Sequence, residues 1–159
     1  MPGEKIELLR HTVATLAYRG GKALRGAPAG FEAFHAGPAT RTPAEILAHL
    51  GDLLDWALKL AEGKHEWHSS PPLSWDAGVE RFFRALETLD AQLASGAPLG
   101  ITPEKLFQGP LADSLTHVGQ IALLRRMAGA PVRGENYLRA DIAAGRVGAG
   151  QAAPNFEFD

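Results

Sequence analysis

Residues 110–127 read PLADSLTHVGQIALLRRM, with Gly109-Pro110 at the start and Gly129 and Pro131 just past the end. Proline suits the first turn of a helix and glycine the position after the last, so this punctuation predicts one long helix. Leu111, Leu115, Val118, Ile121, Ala122, Leu123, Leu124 and Met127 spread around most of its circumference, the pattern of a helix buried in a core. Asp113, His117 and Gln120 interrupt that pattern at steps of four and three, and so share one face. An unpaired polar group in a core costs roughly 1–3 kcal/mol, and a bare charge more, so these side chains need partners. A divalent ion would satisfy the carboxylate and the imidazole together, and i,i+4 is a spacing at which two helical side chains hold one ion.

Working outward, three more segments carry helical periodicity and none carries sustained strand alternation. The first runs from about Glu4 to Leu24, with Ile6, Leu9, Val13, Leu16, Ala17 and Leu24 on its stripe. A Gly/Pro/Ala-rich connection, Gly26 to Arg41, follows and is long enough to cross the end of a bundle. Thr42, Pro43 and Glu45 then spell a capping box with proline at the first helical position. The stripe Ile46, Leu50, Leu53, Leu54, Ala57 and Leu60 ends near Gly63. After a polar linker containing Pro71-Pro72, Ser74 caps a third helix with the stripe Val79, Phe82, Phe83, Leu86, Leu89 and Leu93; Gly96 and Pro98 stop it. Thr102-Pro103-Glu104 predicts one extra turn, and Asn136 to Ala144 a short helix. The tail from Gly145 has no period and is expected to be extended or mobile. The sequence therefore predicts an all-α, four-helix bundle with a long crossover after helix one over residues 1–145, and an extended C-terminal tail over 146–159.

Composition narrows the function. A chain of 159 residues fits one domain. With 45% hydrophobic and 21% charged residues it has the mix of a soluble globular protein. A net charge of −2, with the basic residues scattered, offers no electrostatic footprint for nucleic acid or membrane. The absence of cysteine excludes disulfides, thiolate metal ligands and a cysteine nucleophile. No basic-then-apolar leader opens the chain, and no apolar run reaches the ~18 residues of a membrane span. These features predict a cytoplasmic protein.

The second helix offers the third ligand of a metal site. His49 lies at the edge of its apolar stripe, with Leu53 and Trp56 following on that side. Two imidazoles and one carboxylate leave coordination positions open, a set that suits Zn2+ and also Ni2+, Fe2+ or Mn2+. Each residue also has an ordinary alternative. His49 fits a satisfied core histidine, Asp113 fits the positive end of its helix dipole, and His117 could donate to a backbone carbonyl. Glu45, one turn before His49, is the nearby acid/base candidate, and Trp56 and Gln120 are candidate pocket-lining residues; no catalytic residue is assigned. Elsewhere, His65 and His68 read as solvated linker residues, His11 and Tyr18 as one surface face of the first helix, and Trp75 as core. Ser69-Ser70 lacks a partnered base. No phosphate loop or dinucleotide fingerprint is present.

The second helix with its single inward histidine, and the run from Asp113 to Ile121, resemble the DinB/YfiT-like superfamily over roughly Ile6 to Pro131. Members typically carry a histidine on the second helix and His-x-x-x-His-Arg-Gly-Gln on the fourth. His49 matches the first ligand, and His117, Gly119 and Gln120 match the second half of the run. Asp113 stands where the family has its first histidine and remains a competent ligand. Val118 stands where the family has arginine, so no substrate contact is carried over there. The resemblance implies a central divalent metal held by His49, Asp113 and His117, and a homodimer. It also implies a small-molecule substrate and either thiol-dependent transfer, with a low-molecular-weight thiol as cofactor, or metal-dependent hydrolysis. The alternative is a non-catalytic metal-binding or interaction bundle working as a dimer.

Overall fold

The computed structural model describes residues 2–159, and it is mostly helical. The long helices are α1 (Pro2–Leu24), α2 (Pro43–Ala61), α3 (Trp75–Ala94) and α5 (Ala112–Met127), with a single turn, α4 (Pro103–Leu106), before the last. Helices α1 and α2 each pack chiefly on α3 and α5, which sets α1 and α2 at opposite corners of the bundle. Between them lies one continuous core that includes Val13, Leu16, Leu50, Leu54, Phe82, Leu86, Leu111 and Ile121.

Helix α2 begins as its sequence spells. The Thr42 hydroxyl accepts from the Glu45 amide while the Glu45 carboxylate accepts from the Thr42 amide, and Pro43 occupies the first turn. It ends with Gly63 at φ +80°, a left-handed conformation that glycine adopts without penalty, and Lys64 N–H returns to Lys59 O at 2.8 Å. Ser74 caps α3 through the Ala77 amide.

The start of the last helix differs from expectation. Helical backbone does not open at Gly109-Pro110 but runs on from α4 through one π turn, Phe107–Leu111, into α5. Pro110 sits inside that turn. A proline there has no N–H to give and would clash with the carbonyl four residues back. The turn is wider here: Ala112 N–H reaches Phe107 O, five residues back, and Ser114 Oγ donates to Pro110 O at 2.7 Å. The fully buried α5 expected from its composition is also corrected. Leu123 and Met127 are exposed, because α5 is a corner helix with one face outward.

After α5 the chain forms a 3-10 turn, Tyr137–Arg139, in place of the expected helix over Asn136–Ala144; Asn136 supplies no cap and Ala140 is already extended. Two short strands, β1 (Gly134–Glu135) and β2 (Glu157–Phe158), pair antiparallel. The tail is extended and fastened to the bundle. Glu135 accepts from Tyr18 Oη and, at 2.6 Å, from Lys22 Nζ, which also donates to Glu157 at 3.0 Å. Tyr18 is therefore buried rather than on the surface face expected with His11, which is exposed. No helix among the described residues is long and apolar enough to cross a membrane.

Candidate metal centre

The π turn has a consequence for the site. One extra residue in a helical turn advances the following helix by about 100° relative to α4, and so sets the direction of Asp113 and His117. Trp56 of α2 packs at this turn, with its ring edge 3.7 Å from where a side chain on Gly109 would begin. Trp56 opposite Gly109 and His49 opposite His117 run α2 and α5 antiparallel past each other.

The structure brings the three expected ligands together. His49 Nε2 lies 3.8 Å, and His117 Nε2 4.0 Å, from the same oxygen, Asp113 Oδ2. The two imidazole rings sit 4.6 Å apart, and one ligand atom from each residue falls within 4.8 Å of the others. These separations exceed a hydrogen bond, and small side-chain rotations would bring all three donors onto one ion. The His117 side chain is 12% exposed, His49 22% and Asp113 46%, so the cluster opens to solvent on the Asp113 side.

Ordinary packing does not account for these groups. None of the three side chains makes a hydrogen bond among the described residues. His117 Nδ1 is the one buried side-chain polar atom there without a partner. A satisfied core histidine would have a partner on at least one ring nitrogen, and His117 has none. Burial pushes its imidazole below the ordinary histidine range; neighbouring Asp113 acts in the opposite direction without offsetting that. A neutral imidazole is the form that binds metal. The dipole alternative for Asp113 also weakens, because helical backbone begins at Pro103 and the Ala112 amide is already bonded. The residues present thus fit a divalent ion: two nitrogens and a carboxylate oxygen with no competing partner.

Two expected pocket residues fall elsewhere. Glu45 is committed to the capping box, and the Thr42 amide bond holds its carboxyl below the usual range, so it is not a free acid or base. Gln120 is exposed, three residues beyond His117 on α5. Trp56 does stand beside the cluster, in edge contact with Trp67, whose ring in turn sits 5.7 Å from His49. Trp67 carried no signal in the sequence beyond being a large apolar side chain in a polar linker.

A second grouping, Asp52, Asp55 and His68, also converges. Here Arg81 already provides the cation, donating to Asp52 at 2.8 Å and to Asp55 at 2.7 Å. Burial raises the Asp52 carboxyl, but the Arg81 and Ser70 hydrogen bonds outweigh it and hold the group below its usual range. His65 and His68 are both exposed, as expected of linker residues, with His68 Nε2 lying 3.7 Å from Asp52 and 3.6 Å from Asp55. A cavity of about 950 Å³ lies between the start of α1, the end of α3 and residues 96–103, and shares no residue with the metal-ligand cluster.

No protein-family model, curated protein or solved structure matches the chain.

Proposed function

We propose that the chain is a metal-dependent enzyme of the DinB/YfiT type, which binds one divalent ion through His49, Asp113 and His117 and acts on a small molecule by thiol-dependent transfer or by hydrolysis. The observation that carries this reading is the convergence of three metal-competent donors with no hydrogen bond to explain them. The diagonal placement of α1 and α2, joined by residues 25–42, supports the crossover expected of that bundle type. When bound, the ion supplies Lewis acidity toward a carbonyl oxygen or a thiol. The chain's own residues do the rest: burial keeps His117 neutral, the exposed side of Asp113 is where a small molecule reaches the centre, and Trp56 and Trp67 provide an apolar flank. Three protein ligands leave room for substrate, with Zn2+ or Ni2+ the leading ions and Fe2+ or Mn2+ compatible.

A second reading, a non-catalytic metal-binding or interaction bundle, draws on one observation: Glu45 is engaged in its cap and Gln120 faces solvent, so neither assists chemistry at the centre. Both readings include a homodimer, for which exposed Leu8 on α1 and Leu123 and Met127 on the adjoining α5 are candidate contacts. Sedimentation giving a clean monomer at high micromolar concentration removes the dimer.

Titration of metal-free protein with Zn2+, Ni2+ and Mn2+ tests the centre. The expected result is one equivalent bound by the wild type and stoichiometric binding lost in His49→Ala/His117→Ala with helicity intact. Equal, weak binding by both proteins would mean that no such site exists. Assay of the metal-loaded protein against thiol and ester substrates then separates enzyme from binding module.

A further inference from the structure

Residues 62–74 join α2 to α3 without regular secondary structure, yet they do not loop away from the bundle. The segment turns at Gly63 and runs back along α2, tied at successive levels. Lys64 N–H bonds Lys59 O, Glu66 lies 4.0 Å from Lys59, and Ser70 N–H donates to the buried carboxylate of Asp52 at 2.8 Å. His68 Nε2 sits 3.6 Å from Asp55 and 3.7 Å from Asp52. This path lays the Trp67 indole edge-on between His49 and Trp56, at 5.7 Å from each. Trp67 is nevertheless 48% exposed. A large apolar ring half in water is held here by the ties on either side of it more than by its own burial. Segments with few buried apolar contacts open at low free energy, and loops of this kind commonly gate sites. Left-handed Gly63 at one end and Pro71-Pro72 at the other bound the part able to move.

We propose that residues 64–70 form a latched strap over the metal centre, in which Trp67 is a positioning residue that covers His49 and the Asp52–Ser70 hydrogen bond is the latch. Opening the strap exposes the His49 ring, and closing it leaves Asp113 as the open edge. The role assigned to Trp67 rests on the metal reading, but the covering of His49 does not.

The test uses the full chain and two readouts. The first is the rate at which diethylpyrocarbonate modifies each histidine, resolved by mass spectrometry, in metal-free protein. Trp67→Ala, and Ser70→Pro, which removes the latch donor, are expected to raise the His49 rate several-fold. Exposed His11 should keep its rate, and Trp67→Phe should restore most of the protection. The second readout is Zn2+ release into excess chelator, expected to quicken several-fold in Trp67→Ala while the equilibrium affinity changes much less, as a gate requires and a lost structural contact does not. An unchanged His49 rate in both variants overturns the strap whatever the metal does. A faster His49 rate in a protein whose wild type takes up no Zn2+ upholds the strap and sinks the metal centre.

Discussion

The side chains at the centre differ in what surrounds them, and that difference predicts how each responds to substitution. Asp113 is half exposed and has no hydrogen-bond partner to lose, so Asp113→His should fold normally and retain stoichiometric metal, since imidazole is an equally competent donor; isothermal titration checks this, and loss of binding would show that imidazole does not replace the carboxylate at this position. Asp52 is the opposite case, buried and bonded to Arg81 and the Ser70 amide. Asp52→Asn leaves Arg81 short of one anionic partner and should cost about 3 kcal/mol at neutral pH. The pH dependence follows from the sign of the shift. A carboxyl held below its unfolded value of about 3.9 contributes stability above that pH, and loses it as pH falls through the folded value. The gap between wild type and Asp52→Asn in urea unfolding should therefore be full at pH 7 and narrow below about pH 4. A gap independent of pH would show that charge is not the source.

At the scale of elements, the helices are placed by close approach as much as by their stripes. Gly20 of α1 lies against the Phe82 ring of α3: a Cβ there would stand 2.5 Å from Phe82 Cζ, and Phe82 is fully buried with nowhere to move. Gly119 of α5 faces open space. The same substitution should thus have opposite signs. Gly119→Ala gains up to about 1 kcal/mol of helix propensity, while Gly20→Ala loses about 1–3 kcal/mol to overpacking that outweighs the same gain. Thermal unfolding of the two variants decides it, and a stabilised Gly20→Ala would mean that α1 and α3 can separate. Arg125 shows a further way in which elements are joined. Its buried guanidinium donates to the carbonyls of Ala23, Arg25 and Gly26 at the end of α1 and to Ala130 after α5, capping two helix ends at once. As an arginine in the last turn of α5, it gave no sequence signal of that role.

Across the whole molecule, the tail is integrated through buried charge. Lys22 of α1 bridges Glu135 of β1 and Glu157 of β2, and the Glu135 side chain is fully buried. Lys22→Ala leaves that carboxylate unpaired and should cost about 3–5 kcal/mol, far more than removal of an exposed lysine. Burial lowers the Lys22 amine, but its two carboxylate hydrogen bonds outweigh that and raise it above its usual value. The pair's contribution is accordingly complete below the unfolded lysine value of about 10.4, and is lost as pH rises through the folded one. Chemical denaturation of both proteins from pH 7 to 11 should show a gap that narrows only at the alkaline end. A Lys22→Ala variant as stable as wild type at pH 7 would mean the tail is not held by this charge.

The sequence by itself determined the helical class, most of the helix starts and stops, and the shared face of Asp113 and His117, because each depends on local rules. Thr42-Pro43-x-Glu45 caps a helix wherever it lies, apolar steps of three and four mark a buried face, and Asp113 and His117 share a face through helix geometry alone. Only the tertiary structure decided what crosses between elements. It brought His49 to Asp113 and His117, left Gln120 in solvent, buried Tyr18 against Glu135, and laid Trp67 beside His49. Each of those outcomes depends on which residues far apart in the chain meet. Spacing along one segment carries no record of that.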